Sequence, residues 1–311
     1  MDNSCYKRMK WIKKGVIFNP KSNFPWMESY ASLPIADKID ENRFRIFFST
    51  RNSHNQSLVG FVEIDMDNPK KILRISRTPV LSPGKLGTFD DSGAMAASIV
   101  NYKNKKFMYY IGWNQGKNIP FRWAIGLAIG NSEGTKFEKI SEGPIIDRNT
   151  MDPYFVSSPT VIKEKNLWKM WYISGTKWEK RDGELRNPYN LRYAESHNGI
   201  EWKRKGIISL DFKSKNENRI GRASVLKQNE KYKMWYSHAG KTYRIGYAES
   251  NNGKKWKRKD DEVGINVSKT GWDSEMIEYS HVFEYKKQLH MLYNGNNYGK
   301  TGIGYAVLKD E

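Results

Sequence analysis

The chain has 311 residues, with 53 Lys plus Arg against 34 Asp plus Glu and a formal net charge of +19. Aromatic residues make up 14% of the chain, which excludes intrinsic disorder, and no window approaches the roughly 18 apolar residues of a transmembrane helix. The N-terminal segment lacks an apolar signal core and there is one cysteine, Cys5, so we expect a cytoplasmic protein without disulfides.

Copies of one sequence unit follow each other along the chain. They are recognisable at 43–72, 105–137, 167–202, 231–256 and 288–308. One apolar position is equivalent in all of them, at intervals of about one fifth of the chain length, and is occupied by Ile46, Met108, Met170, Met234 and Met291. Five units therefore account for the chain, and we predict a single domain over residues 1–311.

Each unit has the pattern of four β-strands. A short run such as RASVLKQ precedes a polar turn, an aromatic strand such as KMWYSH follows, and a loop leads to a third strand such as RIGYAES. Asn198-Gly199 and Asn252-Gly253 predict type I′ turns before a fourth strand, because both central residues of that turn need positive φ. The sequence thus predicts an all-β fold, a five-bladed β-propeller with four antiparallel strands per blade.

Lysines concentrate in the turns on one face of the predicted propeller. They are Lys103, Lys105, Lys106, Lys163, Lys165, Lys227, Lys231, Lys254, Lys255, Lys286 and Lys287. Two interpretations are open: solvated turn lysines that hinder edge pairing, or a surface for peripheral contact with an anionic membrane or partner. No basic groove is interleaved with aromatics, so we expect no nucleic-acid partner.

The opposite face collects carboxylates near the starts of the first strands. Glycosyl transfer needs two carboxyl groups on opposite sides of the anomeric carbon, and Asp91, Asp152 and Glu275 come from three different units. We predict these three as the catalytic residues around one pocket. The alternative for each is a structural role, as a turn cap or as the partner of a loop arginine. Further candidates from the same runs are Asp90, Asp273 and Glu278.

The same face carries arginines, aromatic residues and amides. Arg51, Arg122 and Arg222 suit a phosphate or carboxylate of the substrate. Arg222 stands at the start of an inner strand, so it needs either an internal carboxylate or a substrate anion. Aromatic faces stack on sugar C–H surfaces and amides bond hydroxyls. The predicted sugar-contacting residues are therefore Trp113, Trp178, Tyr279, Asn294 and Asn296.

The motifs of several other chemistries do not occur. The five histidines have no metal-ligand spacing, and there is no Gly-rich phosphate loop or nucleophile elbow. We therefore expect no cofactor and no metal site among these residues. Assistance by a divalent metal and the oligomeric state are left open.

The chain resembles the five-bladed propeller superfamily of carbohydrate-active enzymes, which includes arabinanases, xylosidases, invertases, levansucrases and mannoside phosphorylases. More closely, stretches such as FDDSGAMAASIV, EGPIIDRNTMDPYFVSSPTVI and DDEVGINVSKTGWDSEMIEYSHVFEY resemble a bacterial family of glycosidase-like propeller proteins that accompany cell-surface polysaccharide genes. The resemblance covers nearly the whole chain. It implies the propeller fold and chemistry at a glycosidic bond.

The chain departs from the superfamily at one set of positions. Arabinanase-like enzymes place a carboxylate immediately before the inner-strand proline of particular blades. The matching positions here are Leu33, Ala96, Ser158, Arg222 and Tyr279. None of them is acidic, so the catalytic residues of those enzymes are not carried over.

Together these observations predict a cytoplasmic enzyme that makes or breaks a glycosidic bond, with a carbohydrate or phosphorylated sugar as its partner. Two reactions are compatible with the residues: hydrolysis or phosphorolysis of an oligosaccharide, and transfer from a phosphorylated sugar donor in polysaccharide biosynthesis. The alternative from another class is a non-catalytic sugar-binding propeller, which would tolerate loss of the carboxylates.

Overall fold

The computed structural model describes residues 8–20, 24–181 and 183–309, and Cys5 lies outside these ranges. The described residues form an all-β structure, with one short 3-10 turn at Asp260–Glu262. None of the described helical residues forms a segment that is long and apolar enough to cross a bilayer.

The strands pair antiparallel in consecutive groups of four. β1 (Trp11–Phe18) belongs to the last of these groups. The next strands form one group: β2 (Ser29–Lys38), β3 (Arg43–Arg51), β4 (Ser57–Asp65) and β5 (Asn68–Ile75). Another group contains β6 (Gly93–Tyr102), β7 (Lys105–Asn114), β8 (Arg122–Gly130) and β9 (Phe137–Lys139).

The later groups repeat this order. A small hairpin, β12 (Glu179–Arg181) and β13 (Glu184–Arg186), is inserted into the group of β10 (Val156–Glu164), β11 (Leu167–Gly175), β14 (Tyr189–Ser196) and β15 (Lys203–Leu210). Next come β16 (Arg219–Gln228), β17 (Lys231–Ala239), β18 (Tyr243–Ser250) and β19 (Lys257–Arg258). The last group contains β20 (Glu278–Tyr285), β21 (Gln288–Asn294), β22 (Ile303–Leu308) and β1.

The first strands of the groups lie side by side in the interior. β2 contacts β6, β6 contacts β10, β10 contacts β16, β16 contacts β20, and β20 contacts β2. Serine hydroxyls connect some of these neighbours: Ser98 accepts a bond from the Val161 amide at 3.0 Å, and Ser224 accepts one from the Val282 amide at 2.8 Å. Each such bond satisfies a backbone N–H group and joins the first strands of two neighbouring groups.

The repeat register that the sequence predicts is confirmed. The equivalent methionines are fully buried, and each faces an alanine of the third strand: Met108 with Ala128, Met170 with Ala194, Met234 with Ala248 and Met291 with Ala306. Ile46 holds the same position in β3, where it faces Val62. A large residue opposite a small one fills the space between strand groups at constant volume.

The prediction of type I′ turns at the Asn-Gly pairs is wrong. Gly199 has φ 76° but Asn198 is not in the left-handed region, and the Asn198 side chain accepts the Ile200 amide at 2.9 Å. This local Asx bond competes with a tight hairpin, so a longer loop forms. Pairs with positive φ at both residues stand instead between first and second strands, at Lys103-Asn104 and Lys286-Lys287.

The turn lysines have different surroundings. Lys106 is buried and pairs with Asp37 at 2.7 Å. Exposed turn lysines also have acidic neighbours, with Lys254 2.7 Å from Glu195, Lys227 3.0 Å from Glu230 and Lys286 2.7 Å from Asp67. Local ion pairs therefore neutralise part of the positive charge of this face.

The same buried aspartate–tyrosine hydrogen bond occurs within three of the groups. The tyrosine lies 20 residues after the aspartate, and its hydroxyl donates at 3.0 Å in the pairs Asp90–Tyr110, Asp152–Tyr172 and Asp273–Tyr293. A cation completes each pair: Lys139 at 2.6 Å from Asp90, Arg204 at 2.8 Å from Asp152 and Lys13 at 2.6 Å from Asp273. These triads fix the outermost strand of a group to its second strand.

The tyrosine of this triad needs space on the third strand. Gly126 faces Tyr110, and a Cβ at Gly126 would lie 2.2 Å from the ring. We expect Gly126→Ala to lower the free energy of unfolding by about 1–3 kcal/mol, because the ring must leave its place in the core. Gly143→Ala is the matched control, since a Cβ there meets nothing within 4 Å. Equal urea midpoints for the two variants would contradict this explanation.

Candidate active site

A cavity of about 370 Å³ opens among the first strands and the ends of the second strands. Its charged lining residues are Arg51, Arg219 and Arg222. Its tyrosines are Tyr30, Tyr189, Tyr243, Tyr279 and Tyr298, and Phe121 and Trp123 add aromatic surface. Hydroxyls come from Ser32, Ser49, Thr50, Ser57, Ser157, Ser158 and Ser237. None of the lining residues in the described ranges is Asp or Glu.

β-Bulges aim side chains into this cavity. The register of each first strand shifts by one residue at a bulge, and β2 has two such shifts. At five of these shifts a non-glycine lining residue has a left-handed backbone: Tyr30 (φ 65°), Leu33 (φ 57°), Ser158 (φ 43°), Arg222 (φ 46°) and Tyr279 (φ 54°). An extra residue in one strand re-aims the local side chains. The positions at which the superfamily resemblance expects carboxylates are therefore the bulge positions, which carry other residues here.

Arg222 crosses the interior from β16. Its Nη1 donates to the Ala97 carbonyl at 2.6 Å and its Nη2 to the Pro34 carbonyl at 3.2 Å, on the first strands of two other groups. No described carboxylate lies within 4.0 Å, and the Nε has no partner. Burial lowers the pKa of Arg222 to about 10. Burial and the Arg222 charge lower the pKa of His281 to about 3.

The tyrosines form a connected cluster beside Arg219. The hydroxyls of Tyr189 and Tyr243 are hydrogen-bonded to each other. The Arg219 guanidinium lies 5.9 Å from the centre of the Tyr243 ring, within the range of a cation–π contact. Tyr279 and Tyr298 pack against the same ring at 6.3 and 6.1 Å. Burial raises the pKa of Tyr189 to about 12, so this hydroxyl keeps its proton at neutral pH.

Glu278 is the acidic group that adjoins this cluster. The residue is fully buried, and neither carboxyl oxygen has a well-oriented hydrogen-bond partner among the described residues. Burial raises the pKa of Glu278 well above 4.5, while Arg219 and Tyr279 oppose part of the shift. Its charge acts on Tyr189, Tyr243 and Tyr279, all of which line the cavity.

The three predicted catalytic carboxylates do not line the cavity. Asp152 belongs to a structural triad and also binds Arg192 at 3.2 Å. Asp91 caps a turn, where it accepts the Gly87 amide and the Ser92 hydroxyl, each at 3.0 Å. Glu275 is exposed. Asp91 and Asp152 thus satisfy local donors and cations, and none of the three groups lines this cavity. Their assignment as catalytic residues stays a prediction.

The predicted binding residues divide into two sets. Arg51, Arg222 and Tyr279 line the cavity. Arg122 is exposed outside it. Trp113 is buried with its Nε1 bonded to Ser57, 5.9 Å from the Arg51 guanidinium.

The remaining predicted binding residues support the cavity from outside its lining. Trp178 packs edge-on against Phe121 at 5.3 Å. The Asn294 amide bonds the backbone of Leu33, Ala31 and Gly302. Asn296 accepts the amides of Glu275 and Met276 and donates to the Gly271 carbonyl. The two amides therefore hold loops in place.

Sequence reasoning missed Arg219 and Trp123 as cavity residues, and it ranked Glu278 behind other carboxylates. Arg219 follows the loop residue Asn218 and begins β16, three residues before Arg222 on the same strand. This position at the start of a first strand could have identified Arg219 as a cavity residue. The change of side at the bulge places Glu278 and Tyr279 together, and no sequence pattern marks that change. No three His, Cys, Asp or Glu of the described chain come close enough to hold a metal ion.

Comparison with solved structures defines the class of fold. The chain aligns with a glycoside hydrolase at a TM-score of 0.75 and 18% identity, over 98% of this chain and 93% of that chain. It aligns with a β-1,2-mannobiose phosphorylase from Listeria innocua at 0.70 and 11%, over 97% of each chain. A thermostable family-43 glycoside hydrolase gives 0.66 and 16%, over 91% of each chain. The fold is thus that of the propeller glycoside hydrolases.

Sequence comparison defines the family. The chain belongs to the same family as the uncharacterised proteins MT1551 and Rv1502 of two Mycobacterium tuberculosis strains, CDC 1551/Oshkosh and ATCC 25618/H37Rv. It is 38% identical to each over 302 residues, which is 97% of this chain and 100% of the relative. No family model matches the chain.

The buried Glu278 predicts a pH-dependent stability. The folded state holds the Glu278 proton more tightly than the unfolded state. As pH rises above about 4.5 the carboxyl ionises in the unfolded state first, so the free energy of unfolding falls. Glu278→Gln removes this term. The difference in unfolding free energy, variant minus native, should grow by up to about 1.4 kcal/mol per pH unit above pH 5. Urea titrations at pH 5, 6, 7 and 8 measure it. A difference that does not change with pH would contradict the assignment.

Asp152 and Asp91 should respond differently to the same substitution. Asp152→Asn leaves Arg192 and Arg204 without their carboxylate, and removing one partner of a buried pair costs about 3–5 kcal/mol. Asp91→Asn keeps an acceptor for the turn, so about 1 kcal/mol or less is expected. Thermal unfolding of both variants checks this. A stable Asp152→Asn protein would remove the structural explanation.

Proposed function

We propose that this protein is a carbohydrate-active enzyme that makes or breaks a glycosidic bond, and that the cavity lined by Arg219, Arg222 and the tyrosine cluster is its active site. The observation that carries the proposal is the set of left-handed bulge residues, which point arginine, tyrosine and serine side chains into one cavity. The shared fold with glycoside hydrolases and a phosphorylase supports the same class of reaction.

We propose further that the antiparallel groups are the blades of a closed five-bladed propeller formed by one domain. The cyclic contacts of the first strands support this arrangement, since β20 returns to β2. The pairing of β1 with β22 supports it as well, because the first strand of the chain completes the last group. The cavity then lies on the axis, where ligand sites of small propellers are expected.

The cavity has the groups that a sugar needs. Phe121 and Trp123 stack at 4.1 Å between ring centroids and offer a flat apolar surface. Serine and tyrosine hydroxyls can donate to and accept from sugar hydroxyls. The volume of about 370 Å³ lies in the range of pockets that bury a small molecule.

Glu278 is the proton source in this proposal. A carboxyl with a raised pKa keeps its proton to higher pH than an ordinary glutamate and can give it to a departing oxygen. Glu278 is not part of the cavity lining, so its proton reaches the substrate through a tyrosine hydroxyl of the cluster. Tyr279 is the next residue, lines the cavity and packs against Tyr243 at 6.3 Å, which supports this route.

The test compares Glu278→Gln with Glu275→Gln, two amide substitutions three positions apart. Turnover of a glycoside found by screening should fall by about 10²–10⁴-fold in Glu278→Gln, as is typical of lost proton transfer. Ligand affinity measured by calorimetry should change far less. Glu275 is exposed, and its variant should keep the native rate.

The pH profile separates proton transfer from a purely structural role. The native rate should fall as pH rises through the raised pKa of Glu278, because the ionised carboxyl has no proton to give. The residual rate of Glu278→Gln should lack that descending limb. Full turnover in Glu278→Gln would overturn the assignment of the proton source. Sugar binding without turnover of any glycoside or sugar phosphate in the native protein would favour a non-catalytic binding protein.

A further inference from the structure

The cavity carries a charge that the described protein does not balance. Arg51, Arg219 and Arg222 line it, and none of them has a carboxylate within 4.0 Å in the described part of the chain. The neighbouring carboxyl, Glu278, is outside the cavity lining, and burial raises its pKa and so disfavours its charged form. An uncompensated cation away from water is costly. The arrangement therefore favours an anionic ligand over a neutral one.

Arg222 supplies the most specific part of this observation. Its guanidinium is held between two backbone carbonyls, and the residue is 2% exposed. The carbonyls satisfy hydrogen bonds but carry no net charge, and the buried Nε is left without a partner. The residue also keeps a left-handed backbone, which is strained for a side chain other than glycine.

Arg51 and Arg219 present their charges from other sides. Arg51 ends β3 and lies 5.3 Å from the centre of the Tyr30 ring, while Arg219 begins β16 above Tyr243. Aromatic faces orient these guanidiniums without neutralising them. Three positive groups from β3 and β16 thus face one cavity.

We propose that this cavity binds a phosphate group that is joined to the anomeric carbon of the sugar during the reaction. The inference rests on the proposed function and names the second reactant of the same site. A phosphate offers two negative charges and several oxygens to three separate guanidiniums, whereas a carboxylate offers one charge and two oxygens.

The absence of acidic residues from the described lining supports the same conclusion. A hydrolase of the usual kind needs two carboxyl groups at the anomeric carbon, and the cavity adjoins one, Glu278. A phosphate needs no second carboxyl, because it leaves or attacks as an anion and the arginines stabilise its charge. One proton-transferring carboxyl and one cationic subsite are then sufficient.

The step balances as a transfer between oxygen atoms. A phosphate oxygen forms a bond to the anomeric carbon while the glycosidic carbon–oxygen bond breaks, and its electron pair stays on the departing alcohol oxygen. That oxygen takes a proton from a cavity tyrosine, which takes the proton of Glu278. In the reverse direction a sugar 1-phosphate donates the glycosyl group, the phosphate leaves as an anion, and the proton of the acceptor returns to Glu278.

Calorimetry with inorganic phosphate tests the site directly. The native protein should bind phosphate, and higher salt should weaken the binding. Arg219→Ala should weaken it at least tenfold. Arg122→Ala is the matched control, since Arg122 is exposed outside the cavity and its loss should leave the affinity unchanged. Equal losses in the two variants, or no binding to the native protein at millimolar phosphate, would overturn the proposal.

Turnover assays distinguish this inference from the proposed function. One set of assays supplies glycosides with and without phosphate. A second set supplies acceptors together with sugar 1-phosphates or with nucleoside diphosphate sugars. Turnover that needs phosphate or one of these donors supports the inference, and the active donor identifies the source of the phosphate group. Phosphate-independent hydrolysis that is insensitive to Arg219→Ala overturns it while the glycosidic function stands. Phosphate binding without any turnover overturns the enzymatic function instead.

Discussion

The left-handed backbone at the bulges of the first strands is the constraint on which the rest of the site depends. In a regular strand, alternate residues would face opposite sides and the cavity would receive every second side chain. The bulge breaks that alternation. Tyr279 therefore lines the cavity beside the buried Glu278, and Arg222 reaches across the interior to the Ala97 carbonyl. Leu33, Ser158, Arg222 and Tyr279 all adopt this backbone without being glycine. The surrounding sheets must hold them there, and the shape of the cavity is thus maintained by the whole set of strands.

Acidic residues are used in two different ways in this molecule. Asp90, Asp152 and Asp273 are buried in contact with a tyrosine hydroxyl and a cation, and these contacts make them structural. Glu278 is equally buried but has no such partner, and burial raises its pKa. The same imbalance appears in reverse at Arg222, a buried cation without an anion. Arg222 lines the cavity and Glu278 adjoins it, and neither has a group of opposite charge within 4.0 Å among the described residues. Such unpaired ionisable groups are typical of functional sites.

The fold was more accessible from the sequence than the site. The repeat of Ile46, Met108, Met170, Met234 and Met291 predicted the strand register, because buried positions recur with the period of the unit. Arg51, Arg222 and Tyr279 were also predicted as site residues. The sequence ranked Glu278, which adjoins Tyr279, behind Asp91, Asp152 and Glu275, because residue type alone does not distinguish a loop aspartate that binds a tyrosine, such as Asp152. The 20-residue spacing to a tyrosine, repeated in three units, is the signal that identifies such aspartates as structural.

The pairing of β1 with β22 has a consequence for the order in which the protein is made. β1 leaves the ribosome before its hydrogen-bonding partner Ile303–Leu308, and all the other groups lie between them in the chain. Earlier groups can pair as soon as their own strands emerge, because their contacts are local in sequence. β1 has an unpaired edge until β22 has been made, which exposes it to pairing with other chains. The final step of folding is thus a long-range closure, and its entropy cost falls on the group that joins the two ends of the chain.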